Sequence, residues 1–464
     1  MKGRILAALL LVFAACRGRE EGVTLRQPRH VFLITVDTLR ADHMSLYGYV
    51  RRTSPQLARL ATQGVTFERA VAQWPKTGSS FASLFTGLYP HTTGLTQKAA
   101  LRVPEEYLTL PELMQESGYT TLAVQSNAVL GARLGWNDGF DEYLETWGGG
   151  DFPQDPQAFR PLASAPRVNE LALPLLAKHK DRDHLFVWVH YSDPHAPYML
   201  PAGVGNPFLA DAHNVQQATI PRKVTPGYRL GEHTDLAHYV AQYDANVLVA
   251  DGAVDQLLAE ARRLGLLEDA LVIFTADHGE SLGEHDSWFE HGPLPYNTTA
   301  HVPLVVLHPE LPAGRRIEEP VELVDLYPTL QKLVSPRRKV TGLEGTSLLP
   351  LLTGRASGSF VRAFSSAGKR PNFYHSVQER TWKLVLNSGG KRSRAAASPT
   401  GGFELYDLSK DPLETTNLAA SRPEELRRLK RDLAAWMRAA KAMGEEEAVD
   451  PETERALRAL GYAN

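Results

Sequence analysis

His30-Val31-Phe32-Leu33-Ile34-Thr35-Val36-Asp37 is a near-continuous apolar run that stops at a carboxylate. Strands buried on both faces of a parallel sheet read this way, without polar alternation. Open α/β sheets place ligand-binding residues just beyond the carboxyl ends of such strands. The pattern recurs over residues 120–125, 185–190 (LFVWVH), 271–275 (LVIFT) and 302–307, and two of these runs also hand polar residues to a following loop, Asp193-Pro194-His195 and Asp277-His278. Helical stretches lie between them. Residues 54–64 open with Ser54 as N-cap and Pro55 at N1 and close at Gly64. Residues 109–118 open with the capping box Thr109-Leu110-Pro111-Glu112. Residues 239–264 end at Gly265. This alternation predicts an α/β fold with a mostly parallel central sheet flanked by helices.

After about residue 335 the texture changes. Residues 336–339 are basic, 380–386 have a strand-like core, and 389–402 are rich in Gly, Ser, Arg and Ala. Ser421-Arg422-Pro423-Glu424 opens a last helix with Leu426, Leu429, Leu433, Trp436 and Met437 on one face. The expected division is an α/β catalytic domain over 29–335 and a smaller C-terminal α+β subdomain over 336–464. Residues 147–166 read as loop, and 201–232 as an irregular excursion that could serve as a lid.

The chain has 464 residues, a net charge of −3, 43% apolar and 22% charged residues. That is the balance of a soluble globular protein with a full core, and it excludes a general nucleic-acid binder. Its single cysteine, Cys16, follows a basic start, an apolar run too short for a good membrane span, and Phe13-Ala14-Ala15. The segment resembles a bacterial lipobox. The expectation is a lipoprotein signal peptide over 1–15, lipidation of Cys16, a polar tether over 16–28, and an exported protein anchored to a membrane facing the periplasm or in the outer membrane. An ordinary cleaved signal peptide is the alternative. No disulfide is possible within one chain.

The chemistry centres on residues 74–94, WPKTGSSFASLFTGLYPHTTG. Residues 79–85 carry no helix breaker, Gly87 follows as a stop, and Pro90 turns the chain. Thr77 then sits at or just before a helix N-terminus, where free N–H groups favour an anion. The plainer reading is a helix cap. Asp37, Thr77 and Asp277-His278 can meet at one sheet edge. Two carboxylates, an imidazole and an alkoxide oxygen together hold a divalent cation, which lowers a hydroxyl pKa and neutralises anionic oxygens. Taken singly, Asp37 and Asp277 are ordinary turn residues.

Ala82-Ser83-Leu84-Phe85-Thr86-Gly87 and Tyr89-Pro90-His91 resemble the second half of the signature of the sulfatase family, within the alkaline phosphatase superfamily. In that family a modified cysteine begins a C-x-P-x-R segment just upstream. Thr77 stands at the place of that nucleophile, Ser79 at the proline and Phe81 at the arginine, so the first half departs from the pattern. Residues 36–42 (VDTLRAD) resemble the family's first metal-binding strand end, and residues 275–285 (TADHGESLGEH) its second. The resemblance implies Asp37, Asp277 and His278 as metal ligands, with Thr77 bridging metal and substrate. Thr38 stands where many sulfatases have a second Asp; among manganese, zinc, calcium and magnesium as the one divalent ion, that replacement and the His ligand count against calcium. Residues 189–198 (VHYSDPHAPY) resemble the H-x-P segment and imply that His195 binds the substrate's oxygens or protonates the leaving group. Packing against Tyr191 or Tyr198 is the other reading of His195. His291 falls where the family often has a substrate-contacting lysine, or is a loop histidine. Asn127 falls near another such lysine, or serves a turn. Lys76 could supply the charge missing at Phe81.

A threonine cannot form the aldehyde hydrate that sulfatases use. A phosphorylated threonine, by contrast, is open to in-line attack by water. The residues therefore favour hydrolysis of a phosphate mono- or diester, or phosphotransfer, on a small molecule, glycan or lipid head group. A true sulfate ester hydrolase, or a lipid-anchored binder of anionic glycans without catalysis, are the alternatives.

Overall fold

The computed structural model describes residues 25–96, 102–148, 164–210, 218–222, 224, 228–355, 358–369, 372–387 and 402–443. The expected leader, Cys16 and the tether as far as residue 24 lie outside them. Among the described residues no helix is long and apolar enough to cross a membrane.

In chain order the strands of the larger part are β1 (His30–Val36), β2 (Val65–Val71), β3 (Thr120–Gln125), β4 (Glu142–Glu145), β5 (Leu185–Tyr191), β6 (Ala270–Ala276), β7 (Ser281–Leu282), β8 (Trp288–Glu290), β9 (His301–Leu307), β10 (Arg315–Ile317) and β11 (Val321–Glu322). One nine-stranded sheet runs β10-β2-β9-β6-β1-β5-β3-β4, with β11 beside β2. Only β9 is antiparallel to its neighbours. The central strands β1, β5 and β6 are buried along their whole length, as apolar runs without alternation require. Strands β7 and β8 form a separate hairpin.

The expected α/β class is what the structure shows, with three local differences. Strand β2 escapes a search for apolar runs because Glu68 and Arg69 interrupt it where it is only half buried. The helix Ala165–His179 contains Pro174, which masks its buried stripe of Val168, Ala172, Leu175 and Leu176. The helix Pro55–Ala61 is capped from outside: Ser54 makes no side-chain cap, and Asp251 on the helix Leu236–Arg263 accepts from the amides of Gln56 and Leu57 at 3.0 and 2.8 Å. Nor does Gly64 close that helix. It lies against β9, where a Cβ would sit 2.4 Å from the Val306 carbonyl oxygen.

Strands β12 (Ala363–Lys369), β13 (Asn372–Gln378), β14 (Trp382–Asn387) and β15 (Phe403–Asp407) make a second, antiparallel sheet in that order. Helix Pro423–Met443 covers it with the predicted face, Leu429 and Leu433 packing with Leu384, Leu386 and Leu405. This smaller layer touches the loops of the larger one. Ser366 donates its amide to the Gln73 carbonyl, and Gly368 donates to the Gly292 carbonyl.

Candidate active site

Register places the site. Val36 pairs with both Tyr191 and Ala276, and Thr35 pairs with His190 and Thr275. Asp37 and Asp277 therefore leave adjacent strands side by side, with His190 two residues back on the other flank. Gln125 pairs with His190, so Asn127 emerges two residues beyond the same edge. The helix Thr77–Thr86 is pinned beneath by Ser80 Oγ, which donates to the Asp277 carbonyl at 2.6 Å. All ten of its residues are buried, and Gly87 ends it at φ 71°. Thr77 is the first helical residue, and Lys76 is the N-cap with no capping side-chain bond. Thr77 thus points its hydroxyl into the cluster instead of capping its own helix.

Thr77 Oγ1 lies 3.3 Å from His278 Nε2. The same nitrogen is 3.3 Å from Asp277 Oδ2 and 3.9 Å from Asp37 Oδ1. His278 Nδ1 donates to the Gly279 carbonyl at 2.9 Å, which turns Nε2 toward the carboxylates. Asp277 Oδ1 accepts from the amides of His278 and Thr38. Asn127 Nδ2 donates to Asp37 Oδ2 at 2.5 Å, while Asn127 Oδ1 caps the next turn at Val129. The amide of Asn127 is therefore spent on Asp37 and on that turn. Thr38 holds a positive φ of 54°, which a β-branched residue rarely adopts, and its buried hydroxyl has no partner.

Burial works to raise the Asp37 carboxyl, but the imidazoles of His195, His190 and His278 hold it below the ordinary range. Burial, and after it the charge of Asp37, pushes Asp277 well up. Burial, reinforced by His291, pulls His278 well down, so its ring is neutral with a free lone pair. These shifts describe two carboxylates too close to ionise together without a cation.

Whether the residues fit a metal ion is answered by the buried atoms left without hydrogen bonds: Asp37 Oδ1, Asp277 Oδ2 and His190 Nε2. One ligand atom each of Asp37, His190 and Asp277 lie within 4.8 Å of one another. Orphaned donors this deep are costly unless something binds them. Oxygen and imidazole donors together suit a borderline ion such as zinc or manganese. His190 is a site residue the motif comparison passed over. Its Nδ1 meets Thr35 Oγ1 at 3.0 Å, and its Nε2 faces Asp37 Oδ2 at 3.8 Å. The signal lay in its position near the end of a buried strand, register-matched to Thr35, two residues before Asp37.

The remaining predicted residues gather above. His291 stacks on His278 at 4.4 Å between ring centroids, and His195 meets His291 edge-on at 5.1 Å. His195 Nδ1 donates to the Ala196 carbonyl at 2.6 Å. His291 Nδ1 lies 3.0 Å from Glu280 Oε1, and Tyr198 donates to Glu280 Oε2 at 2.5 Å. Burial opposes the charge of His291, but Glu280 raises its pKa overall. Lys76 lies against Gly292, where a Cβ would come 2.6 Å from Lys76 Cε, and its charge reaches His291. Phe81 does not face the opening. It is buried against Trp188, Phe85 and His190, so it is a wall of the core and not a contact for an apolar substrate group.

The comparisons with known proteins agree with this geometry. The family model described as Sulfatase matches residues 29–335. Arylsulfatase K of Xenopus laevis is 23% identical over 429 residues, covering 82% of this chain and 77% of its own. An ulvan-active sulfatase of Formosa agariphila is 24% identical over 443 residues, covering 89% and 82%. Among solved structures, a phosphonate monoester hydrolase from Silicibacter pomeroyi superposes with a TM-score of 0.71 at 19% identity, over 91% of this chain and 96% of that one. A protein bound to its substrate D-glucosamine-2-N,6-O-disulfate superposes with a TM-score of 0.70 at 19% identity, over 92% and 99%. Matched over most of its length, and carrying the carboxylate–histidine cluster at the expected sheet edge, the chain belongs to the sulfatase family of metal-using ester hydrolases.

Proposed function

We propose that this chain is a metal-dependent phosphoester hydrolase with Thr77 as nucleophile. The observation that carries the reading is the Thr77 hydroxyl, set at the N-terminus of a buried helix and 3.3 Å from His278 beside two carboxylates. Asp37, Asp277, His278 and the Thr77 oxygen would hold the ion, with His190 on its flank. When bound, a divalent cation supplies a lower hydroxyl pKa and neutralises anionic ester oxygens.

The chain's own residues do the rest. The amides at the start of helix Thr77–Thr86 face the anion and orient it. Thr77 Oγ1 attacks phosphorus in line. Its O–P bond forms as the ester P–O bond breaks, and the proton lost by Thr77 ends on the departing oxygen. That oxygen leaves on the side of His195 and His291, with Lys76 adding positive potential. Water then attacks phosphorus from the vacated side, releasing phosphate and restoring the hydroxyl. Phosphotransfer differs only in that an alcohol replaces this water.

A sulfate ester is the second reading, favoured by the relatives named as sulfatases. Against it stands Thr77 itself, which has no carbonyl to regenerate and so no way to expel sulfate without a second attack at sulfur. The substrate is an anionic ester of a small molecule, glycan or lipid head group. Residues 13–16 support placing the reaction at the cell envelope, with a lipid on Cys16 as the anchor.

The test compares the wild type with Thr77→Ala and Thr77→Ser. Substrates are p-nitrophenyl phosphate, bis-p-nitrophenyl phosphate, a phosphonate monoester and p-nitrophenyl sulfate, each with zinc or manganese. Phosphoester turnover should fall at least about a thousandfold in Thr77→Ala and survive in part in Thr77→Ser. Sulfate turnover that persists in Thr77→Ala would refute the assignment of the nucleophile.

A further inference from the structure

We propose that Glu322 is a positioning residue for the nucleophile: its carboxyl group ties both flanks of the helix Thr77–Thr86 to strand β12 of the C-terminal layer. The inference rests on the Thr77 reading for its effect on turnover, and on hydrogen bonds alone for the link itself.

Glu322 ends β11 and is buried. Its Oε1 accepts from Gln73 Nε2 at 3.3 Å and from the Tyr89 hydroxyl at 2.9 Å, and the same hydroxyl lies 3.0 Å from Oε2. Gln73 lies four residues before Thr77, and Tyr89 three residues after Thr86. One carboxyl group therefore holds the chain where it enters the helix and where it leaves. The helix is held from outside because no side chain caps it at Lys76. Gln73 is fixed on its other sides too. Its Nε2 donates to the Val71 carbonyl, and its Oε1 accepts from the Val324 amide. Gln73 and Tyr89 are both buried, so a partner lost here is costly.

The third donor comes from the other layer. The Phe364 amide on β12 donates to Glu322 Oε1 at 3.0 Å. Farther along the strand, the amides of Ser366 and Gly368 donate to the carbonyls of Gln73 and Gly292 at 2.9 and 2.7 Å. Alternate amides of a strand point to one edge. The other edge of β12 is paired with β13, so residues 364, 366 and 368 form the edge that meets the catalytic domain. Main-chain carbonyls serve two of these amides, and Glu322 serves the third. Gly292 follows His291, and Lys76 packs on the same glycine. The strand thus sets the spacing between the nucleophile loop and the His291 loop. Burial, and after it Asp325, raises the Glu322 pKa, while the donors from Phe364, Tyr89 and Gln73 work against that rise. A carboxyl group this deep is tolerated only while such donors stay in place.

The test separates position from stability. Glu322→Met fills the volume and removes every acceptor, whereas Glu322→Gln keeps one oxygen. Leu257→Ala, buried on the helix Leu236–Arg263, controls for lost stability alone. Each full-length protein is checked by circular dichroism. Then kcat and KM for p-nitrophenyl phosphate are measured where all are folded, and hydrogen exchange is followed over residues 73–89 and 364–368. In Glu322→Met kcat should fall about tenfold to a hundredfold, as when a reacting group is displaced by about 1 Å, with KM changed less than about twofold. Exchange should quicken over both segments together. Glu322→Gln should recover most of kcat, and Leu257→Ala should keep it. A folded Glu322→Met with kcat within about twofold of the wild type would overturn the positioning role. So would an equal loss in Leu257→Ala. If Glu322→Met does not fold, Tyr89→Phe decides in its place: kcat should fall about threefold with quicker exchange over residues 73–89, and a variant unchanged in both would overturn the role. A wild type without Thr77-dependent turnover would retire the hydrolase reading. Exchange then judges the link alone, and wild-type protection of residues 73–89 in Glu322→Met would overturn it.

Discussion

Lys383→Met should destabilise the protein by about 3–5 kcal/mol, the usual cost of removing one partner from a buried ion pair. Lys383 on β14 and Glu414 are 1% and 0% exposed, and their charged atoms are 2.7 Å apart. Burial pulls the Lys383 pKa down while Glu414 supports its charge. Lys383 also donates to Asn297 Oδ1 at 3.0 Å, and Glu414 Oε2 accepts from the Asn297 amide at 2.6 Å. The pair therefore ties the C-terminal sheet to the segment that follows His291 and leads into β9. Methionine fills the aliphatic volume, so the loss is electrostatic, a carboxylate left buried with one amide and no cation. The double variant Lys383→Met/Glu414→Gln removes that charge and keeps an acceptor for Asn297, and should recover most of the loss. Urea unfolding followed by circular dichroism measures all three proteins. Hydrogen exchange over residues 285–297 should quicken in the single variant, because His285 and Tyr296 lean on Leu413 and Glu404 in the same junction. A single-variant loss under about 1 kcal/mol, or a double variant no better than the single, would refute the reasoning.

His190→Ala should weaken binding at the first cation site by about 10–100-fold, whether His190 ligates directly or steadies Asp37, and chelator competition reads this directly. Unchanged affinity would remove His190 from the site. Asp251 carries a pH signature. Burial pushes its carboxyl from 3.8 up to about 6, so the folded state holds the proton more tightly than the unfolded chain. Its contribution to stability is then intact below pH ~4 and declines as pH rises to ~6, by up to about 3 kcal/mol. Asp251→Asn forfeits one of two amide contacts, about 1 kcal/mol, and abolishes that slope. Its urea midpoint should fall below the wild type's at pH ~4 and exceed it at pH ~7.

The elements legible in the sequence were those whose chemistry is local. Buried parallel strands announce themselves as apolar runs, and both strand ends that carry candidate metal ligands, Asp37 and Asp277-His278, follow such runs directly. The last helix showed its face because a period of 3.6 survives in a surface helix. What stayed hidden depends on partners far along the chain. The cap of helix Pro55–Ala61 comes from Asp251, nearly two hundred residues away. Glu280 reads as one more residue of the Asp-His-Gly turn until the fold sets it against His291 and Tyr198. His190 reads as the end of a strand until register sets it beside Asp37. Asn127, read as a substrate contact or a turn residue, serves the turn and also binds Asp37.

The replacement at position 81 has a consequence for the charge of the whole site. Resemblance puts a guanidinium there, a permanent cation beside the nucleophile. Phe81 instead seals the space with its ring against Trp188 and edge-on to His190. Asp37 is left with a neutral amide donor in Asn127 and two imidazoles, at 3.8 and 3.9 Å. The nearest buried arginine in the sequence motif, Arg40, is committed to Asp42 and Glu284. Asp37 and Asp277 are wholly buried, and the charge of Lys76 reaches His291. Asp37 and Asp277 cannot both stay ionised on so little fixed positive charge. Either Asp277 holds a proton, as its raised pKa implies without an ion, or a bound cation would supply what the missing guanidinium does not. A site whose positive charge arrives with its ions has room for the extra negative charge of a phosphate monoester. Phe81 and Thr77 therefore support the same proposal: with the aldehyde chemistry and the fixed cation absent together, a site built around a hydroxyl would draw its positive charge from a bound ion.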